Sequence, residues 1–238
     1  MQTWCCVKEF GVARSTVDTG TGFGAFYATK SANYFSNARA DFVDRLAFDP
    51  TASILEVGCG TGATGALALS EGRCGSYTGV ELFEAAATEA RTVLTDVITG
   101  NVECLDFSWQ PASFDALILS EVLEHLVEPR QVVKNLSRFI RPGGLVLASS
   151  PNISHWRVVR ELALGRFEMA DQGVFDRTHL RWFTPSTFVA MFEDAGFKVE
   201  EVGPVTAFSP RTELISRLTG GRFDHLFMTQ IALVAVKR

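Results

Sequence analysis

The chain is short of positive charge, with 22 Lys and Arg against 27 Asp and Glu and a formal net charge of −5. Proteins that grip long nucleic acid carry a basic face, so nucleic acid is not expected among its partners. It has five cysteines, Cys5, Cys6, Cys59, Cys74 and Cys104, and no CxxC pair. This scattered, odd-numbered set reads as reduced thiols in a cytoplasmic protein. No lipid-anchor motif accompanies the Cys5–Cys6 pair. Long apolar runs are missing too. Ile231–Val236 has the length of a strand and falls far short of the roughly 20 residues a membrane span needs. The N-terminal stretch lacks a basic segment leading into an apolar one, so no secretory signal is expected. No repeat or low-complexity tract interrupts the 238 residues.

What is present is apolar and aromatic. Hydrophobic residues make up 47% of the chain, with 19 Phe among them, enough for one large buried core. Residues 1–30 hold Gly20, Gly22 and Gly24 without lasting periodicity and read as a flexible lead-in to a single domain over 31–238. A helix is expected from near Ser31, with Phe42, Val43 and Leu46 on one face, until Asp49-Pro50 stops it. Strands and helices then alternate: strand Ser53–Val57, helix Ala63–Ser70, strand Ser76–Glu81, helix Glu84–Thr99, strand Asn101–Cys104, strand Phe114–Leu119, helix Glu128–Ile140 and strand Leu145–Ser149. Residues 151–184 interrupt the pattern and read as a lid. Thr184-Pro185 opens the next helix, followed by strands Phe197–Val205 and Phe227–Val236, with a smaller insertion at 206–226 holding a short helix. This alternation predicts an α/β fold: a doubly wound, Rossmann-like, seven-stranded and mostly parallel sheet. The lack of a long crossover before the last strand favours its being antiparallel.

The densest signal is Ile54-Leu55-Glu56-Val57-Gly58-Cys59-Gly60-Thr61-Gly62. A strand feeds three alternate glycines and then a helix. Glycines serve where backbone turns sharply and approaches a ligand without a Cβ, and the helix start offers free N–H groups. A nicotinamide loop would require GxGxxG, but here the third glycine comes one position early and Ala63 takes its place. Glu56, two residues before the first glycine, suits a cationic ligand better than a pyrophosphate.

Glu56-x-Gly58-x-Gly60-x-Gly62 after a strand resembles motif I of class I S-adenosylmethionine-dependent methyltransferases. The resemblance continues through Gly79-Val80-Glu81, Leu105-Asp106-Phe107, Phe114-Asp115-Ala116, Glu121-Val122-Leu123-Glu124-His125-Leu126 and Ile140-Arg141-Pro142-Gly143-Gly144, over roughly residues 34–150. It implies that Glu56, Gly58, Cys59, Gly60 and Gly62 border the cofactor. It also implies that Glu81, with Leu82 beside it, holds the ribose hydroxyls, a task for which a carboxylate is suited because it only accepts. Asp106 receives the adenine amino group and Phe107 packs on the ring, although Asp106 also fits a plain turn former. Ser120, Glu121 and His125 line the cofactor on the same reading, His125 by packing rather than catalysis. Tyr34 and Arg39 are upstream candidates; an arginine there suits the methionine carboxylate and equally suits a helix surface.

Methyl transfer from a sulfonium is an in-line displacement in which alignment matters most, and a hydroxyl acceptor also calls for a base. Candidates should follow the strand ends. His155 and His179 lie in the 151–184 insertion, with Asp176 placed to orient His179; His179 reads either as the base or as a brace of the lid. Pro151-Asn152…His155 and Asp176-Arg177-Thr178-His179 are similar to a bacterial subgroup acting near saccharide and cell-surface glycan pathways, and to ubiquinone-pathway O-methyltransferases. The expected reaction is therefore methylation of an oxygen, or alternatively a nitrogen, of a small-molecule or glycan acceptor. No Asp/Asp/Asn arrangement of the metal-dependent catechol type is evident, so no metal is expected. The competing readings are an NAD-dependent oxidoreductase and a non-catalytic S-adenosylmethionine-binding protein. The oligomeric state stays open.

Overall fold

The computed structural model describes residues 37–238, so the lead-in, Tyr34 and the start of the helix expected near Ser31 lie outside the described residues. Within them, seven strands form one sheet: β1 (Ser53–Val57), β2 (Ser76–Glu81), β3 (Asp96–Thr99), β4 (Phe114–Ser120), β5 (Ile140–Pro151), β6 (Phe197–Pro204) and β7 (Gln230–Lys237), in the order β3-β2-β1-β4-β5-β7-β6. β1 pairs in parallel with both β2 and β4, while β7 runs antiparallel between β5 and β6.

Residue alternation along the central strands explains why both faces are covered. Leu55, Val57, Leu117 and Leu119 face one side, where α4 (Pro129–Ser137) brings Val132, Val133 and Leu136, and α6 (Pro185–Asp194) brings Phe188, Met191 and Phe192. Ile54, Ala116, Ile118 and Leu147 face the other, against Phe42 and Val43 of α1 (Ala40–Val43), Ala68 of α2 (Ala63–Ser70) and Ala87 and Ala90 of α3 (Glu84–Ala90). Strands buried on both faces read as unbroken apolar runs, as Ala116–Leu119 does. α6 starts as expected: Thr184 Oγ1 accepts from the Thr187 N–H, with Pro185 in the first turn.

The structure corrects three expectations. The helix from Glu84 ends at Ala90, and the third strand is Asp96–Thr99 rather than Asn101–Cys104. Val97, Ile98 and Thr99 are β-branched and pair with Gly79, Val80 and Glu81. Asn101 instead makes a turn, its Oδ1 accepting from the Glu103 N–H at 2.9 Å. The helix expected over Glu128–Ile140 stops at Ser137, and Ile140 already pairs with Phe114 in β5. Arg141–Gly144 loop out of that strand before Leu145 pairs with Ala116, held by an Arg141–Asp115 ion pair. The first part of the 151–184 segment is helical, as α5 (Trp156–Ala163). The short helix in 206–226 is α7 (Pro210–Thr219).

Gly62 sits at the N-cap of α2 with φ of +85°. A Cβ there would lie 2.9 Å from Val93 Cγ2 and 3.0 Å from Leu94 Cγ. Gly62→Ala is expected to cost about 2–3 kcal/mol of folding stability, combining left-handed strain with overpacking. Gly165, with φ of +71° and nothing within 4 Å of its would-be Cβ, is the control. Its alanine variant bears the strain alone, about 1 kcal/mol. Urea titrations of both variants check this, and equal losses would remove the packing half of the argument.

Candidate functional site

Strand order reverses between β1 and β4, and a crevice at the carboxyl ends of such strands is where doubly wound folds take ligands. The glycine loop borders it. Gly58, Gly60 and Gly62 have φ of +76°, +55° and +85°, conformations that side chains with a Cβ resist. Cys59 is buried between them, and burial with the nearby charges of Glu56 and Glu81 pushes its thiol far up; it is packing, not a nucleophile. A Cβ at Gly79 would sit 2.5 Å from its sulfur.

Glu81 closes β2 and is buried. Its Oε2 accepts from the Gly60 N–H at 2.9 Å and its Oε1 from the Phe83 N–H at 3.0 Å. The carboxylate thus ties the glycine loop to the end of β2, and each oxygen keeps a second lone pair. Burial raises its pKa, opposed by those N–H groups. Leu82 beside it is 38% exposed at the rim.

Glu56 lies beneath the loop, accepting from the Tyr77 hydroxyl at 2.9 Å. Burial lifts its pKa to about 7, with the Glu81 charge adding to the rise and the Tyr77 hydroxyl and Arg39 opposing it. A carboxyl whose folded pKa lies above its ordinary 4.5 favours the folded state while protonated in both forms. That stability fades as pH rises from about 4.5 to 7, because the unfolded chain ionises first. The loss is expected to reach about 2–3 kcal/mol without cofactor, and Glu56→Gln should flatten that part of the curve. Denaturant titrations at pH 5 and pH 8 test it; a variant that tracks the wild type would refute the assignment.

Arg39 spans the crevice and is not a helix-surface residue. Its Nη1 donates to Ser120 Oγ at 2.5 Å and Ser149 Oγ at 2.7 Å, at the ends of β4 and β5. Asp41 takes its Nε and Nη2 at 2.8 and 2.7 Å. Asp106 is exposed on the loop after β3. The Phe107 ring already stacks on Trp109, centroids 4.1 Å apart and 5° from parallel, so one of its faces is taken.

A second cluster follows β4. Glu121 has φ of +52°, a strained value for a residue with a side chain. Its Oε2 accepts from the Gln230 amide at 3.0 Å, while its Oε1 is buried without a hydrogen-bond partner. Glu124, in a 3-10 turn over Leu123–His125, is 1% exposed. Ser150 Oγ donates to its Oε2 at 3.1 Å and its Oε1 has no hydrogen-bond partner. Burial, then the Glu121 charge, holds the Glu124 carboxyl well above the usual range. The 151–184 segment docks here: the Leu180 and Arg181 N–H groups donate to the Glu124 carbonyl at 2.7 and 3.0 Å.

The structure brings His125 and His179 together, ring centroids 4.8 Å apart. His125 Nδ1 lies 3.1 Å from the Thr178 carbonyl and His179 Nδ1 3.1 Å from the Val174 carbonyl. Asp176, expected to orient His179, gives its Oδ1 to the N–H and hydroxyl of Thr178 at 2.9 and 2.7 Å, and its carbonyl accepts the His179 N–H. His155 stands elsewhere, at the N-cap of α5 against Trp156, with burial and Arg157 lowering its pKa.

A family profile described as "Methyltransferase domain" matches residues 31–202. The chain belongs to this methyltransferase family. A probable S-adenosylmethionine-dependent methyltransferase of Mycolicibacterium smegmatis is 31% identical over 70% of this chain, which spans 60% of that relative's length. A ubiquinone biosynthesis O-methyltransferase of Chromobacterium violaceum is 27% identical over 82% of this chain and 84% of its own. An S-adenosylmethionine-dependent methyltransferase of Archaeoglobus fulgidus superposes with a TM-score of 0.59 at 19% identity, covering 86% of this chain and 97% of the archaeal one. That last likeness shows the shared fold.

The methyltransferase family takes its methyl group from S-adenosylmethionine, and the residues present fit that molecule. The loop is free of Cβ atoms at Gly58, Gly60 and Gly62 and stands above two buried carboxyls, Glu56 and Glu81. A nicotinamide reading falls with the family match. Among the described residues of the methyltransferase, no helix is long and apolar enough to cross a membrane. The sequence reading missed Glu124, Ser149 and Thr64, whose hydroxyl accepts the Arg39 N–H at 3.2 Å. A visible signal for Glu124 was an acid followed by His a few residues after a nearly all-apolar strand. For Ser149 and Thr64 there was none, since their importance comes from Arg39 reaching across the sheet.

Proposed function

We propose that this methyltransferase transfers the methyl group to an oxygen of a small-molecule or saccharide acceptor. The acceptor lies between the carboxyl edge of the sheet and the 151–184 segment, which acts as a lid. S-adenosylmethionine supplies an electrophilic methyl when bound. Glu81 holds the ribose hydroxyls, the loop from Gly58 to Gly62 lies along the cofactor, and Arg39 is placed for its carboxylate, with Ser120 and Ser149 fixing the guanidinium. Asp106 is available to the adenine amino group.

The observation that carries the oxygen assignment is the Glu124–His125–His179 cluster. An amine acceptor needs little help beyond deprotonation and alignment, whereas a hydroxyl must lose its proton as it attacks. A cluster with two imidazoles, each held by a backbone carbonyl, is equipped to take that proton. The name of the C. violaceum relative supports the same chemistry.

The test is a panel of phenols, catechols and sugar hydroxyls, each paired with its amine analogue, offered with isotopically labelled methyl donor. Label is expected on oxygen, located by fragmentation mass spectrometry. Label on the amines alone would overturn the oxygen reading. Tight S-adenosylhomocysteine binding without transfer to any acceptor would favour the non-catalytic alternative.

A further inference from the structure

We propose that the 206–226 insertion is a docking element that rests this protein on an anionic lipid surface. Leu214, Leu218 and Phe223 enter the bilayer interface, and Arg211, Arg217 and Arg222 meet the headgroups.

The helix of this insertion, α7, is turned the wrong way round for a globular surface. Surface helices bury an apolar stripe and show their polar side to water. In α7 the half-buried positions are Thr212, Ser216 and Thr219, and none of its residues is buried. Ser216 Oγ donates to Asp224 Oδ2 at 2.9 Å, which ties that polar side to the turn that follows. The outward side carries Leu214, Ile215 and Leu218, exposed by 58%, 40% and 77%, with Phe223 just beyond the helix at 44%. Leu214 and Leu218 stand one turn apart and form a ridge. A single exposed leucine calls for no explanation, but an apolar ridge on a helix that buries nothing marks an interaction site.

Charge is unmet in the same place. Elsewhere arginines hold carboxylates, as Arg45 holds Glu201, Arg91 Glu84, Arg130 Asp194 and Arg181 Glu128. Arg211, Arg217 and Arg222 form no ion pair among the described residues. The whole chain carries −5, so three unpaired cations beside apolar side chains run against its average.

The occupant follows from what each alternative would bring. A second copy paired about a two-fold axis would set these arginines against one another. Residues 1–36 hold Lys8, Arg14 and Lys30 against Glu9 and Asp18, so they supply no balancing charge. A stable protein interface takes about 20–30 residues a side, far more than a ridge of four apolar side chains offers. A bilayer asks for less. It accepts a few apolar side chains at the acyl boundary, and each basic residue around them adds attraction to anionic headgroups.

The insertion is rooted at the carboxyl edge of the sheet. It leaves β6 at Pro204 and enters β7 at Gln230, which pairs with Pro151 at the end of β5. Asn152 Nδ2 donates to the His225 and Met228 carbonyls at 2.7 and 2.8 Å and anchors its return. Docking therefore brings lipid to the sheet end that carries the crevice. That consequence rests on the functional reading above; docking itself does not.

The test is co-sedimentation of the full chain with vesicles of phosphatidylcholine, alone or with about a third phosphatidylglycerol. Wild type is expected to pellet with the mixed vesicles, to stay in solution with phosphatidylcholine alone, and to be released by raised salt. Replacing Arg211, Arg217 and Arg222 together by Gln should weaken binding about tenfold or more. Leu214→Ser combined with Leu218→Ser should weaken it to a similar degree, about tenfold. All these side chains are exposed, so both variants should keep the wild-type melting temperature and affinity for S-adenosylhomocysteine. Leu218→Trp adds a local readout, with fluorescence that shifts to the blue only on the mixed vesicles. Folded wild type that ignores the mixed vesicles, binding unchanged in both variants, or a Leu218→Trp spectrum indifferent to lipid would each overturn the docking. A dimer that Leu218→Ser dissolves, in place of vesicle binding, would give the ridge to a second copy. If vesicle binding fails while label still reaches oxygen, the methyl-transfer reading stands without it; vesicle binding with label on amines alone would do the reverse.

Discussion

His179→Ala should bind S-adenosylhomocysteine with the affinity of the wild type and lose about 10²–10⁴ in kcat, the usual reach of proton-transfer assistance. The reason is spatial. His179 comes from the 151–184 segment and faces His125 at 4.8 Å between centroids, whereas the residues proposed for the cofactor are Arg39, the loop after β1, Glu81 at the end of β2 and Asp106 after β3. Its loss should therefore spare cofactor binding. A brace would behave differently, because removing the Nδ1 contact to Val174 would loosen the loop, lower the melting temperature and depress rate only modestly. The paired measurement is single-turnover methyl transfer beside thermal unfolding. A variant that melts early yet turns over at more than a tenth of the wild-type rate would show His179 to be scaffolding. His155→Ala is the internal control. Standing at the N-cap of α5 beside Trp156, it should keep most of its activity.

Glu81→Ala should raise the Kd for S-adenosylhomocysteine by about 10²–10³, or roughly 3–4 kcal/mol. Two contributions add. The side chain holds Gly60 and Phe83 through their N–H groups at 2.9 and 3.0 Å, so its removal frees the loop and leaves those donors without a partner. It is also proposed to accept from the ribose hydroxyls, and each charged hydrogen bond is worth about 1.5–3 kcal/mol. Glu81→Gln should lie between, since an amide can accept at one oxygen while its NH2 opposes one of the two N–H groups. Calorimetry with an analogue lacking the 2′- and 3′-hydroxyls separates the contributions: if the ribose role holds, wild type and Glu81→Ala differ much less for that ligand. An equal gap for both ligands would assign Glu81 to the loop alone.

How much of this was legible beforehand follows from the range over which each signal acts. The glycine loop was readable because its requirement is local: three backbone positions with positive φ need three glycines. The antiparallel β7 was readable from the shape of its connection. β3 was not, because Asp96–Thr99 sits directly behind a helix-forming run rich in alanine, and the helix reading absorbed it; only pairing with Gly79–Glu81 decides it. Gly143 and Gly144 look like a terminator in one dimension, yet here they release a loop within β5. At the candidate site, residues whose setting is their own backbone neighbourhood could be named from the sequence. Glu124 could not, since its setting depends on Leu180 and Arg181 folding back onto it from more than fifty residues away. Arg39 was an upstream candidate in the sequence, but its partners Ser120 and Ser149 could not be guessed from spacing.

The position of β7 has a consequence for how the chain is made. β5 and β6 are not neighbours; each pairs with β7, which is translated after both. On the ribosome, β6 therefore emerges with Phe197 ready to be buried but no partner for its backbone, and the outer edge of β5 stays open beside it. Ile231, Leu233 and Ala235, all fully buried in the finished protein, arrive as a wedge between two strands already present. Such long-range pairing is slow compared with local structure, so the half of the sheet carrying the glycine loop can take shape while the half under the lid still waits. A nascent chain stalled before Gln230 should be protease-resistant around β1–β4 and cleavable within α6 and β6.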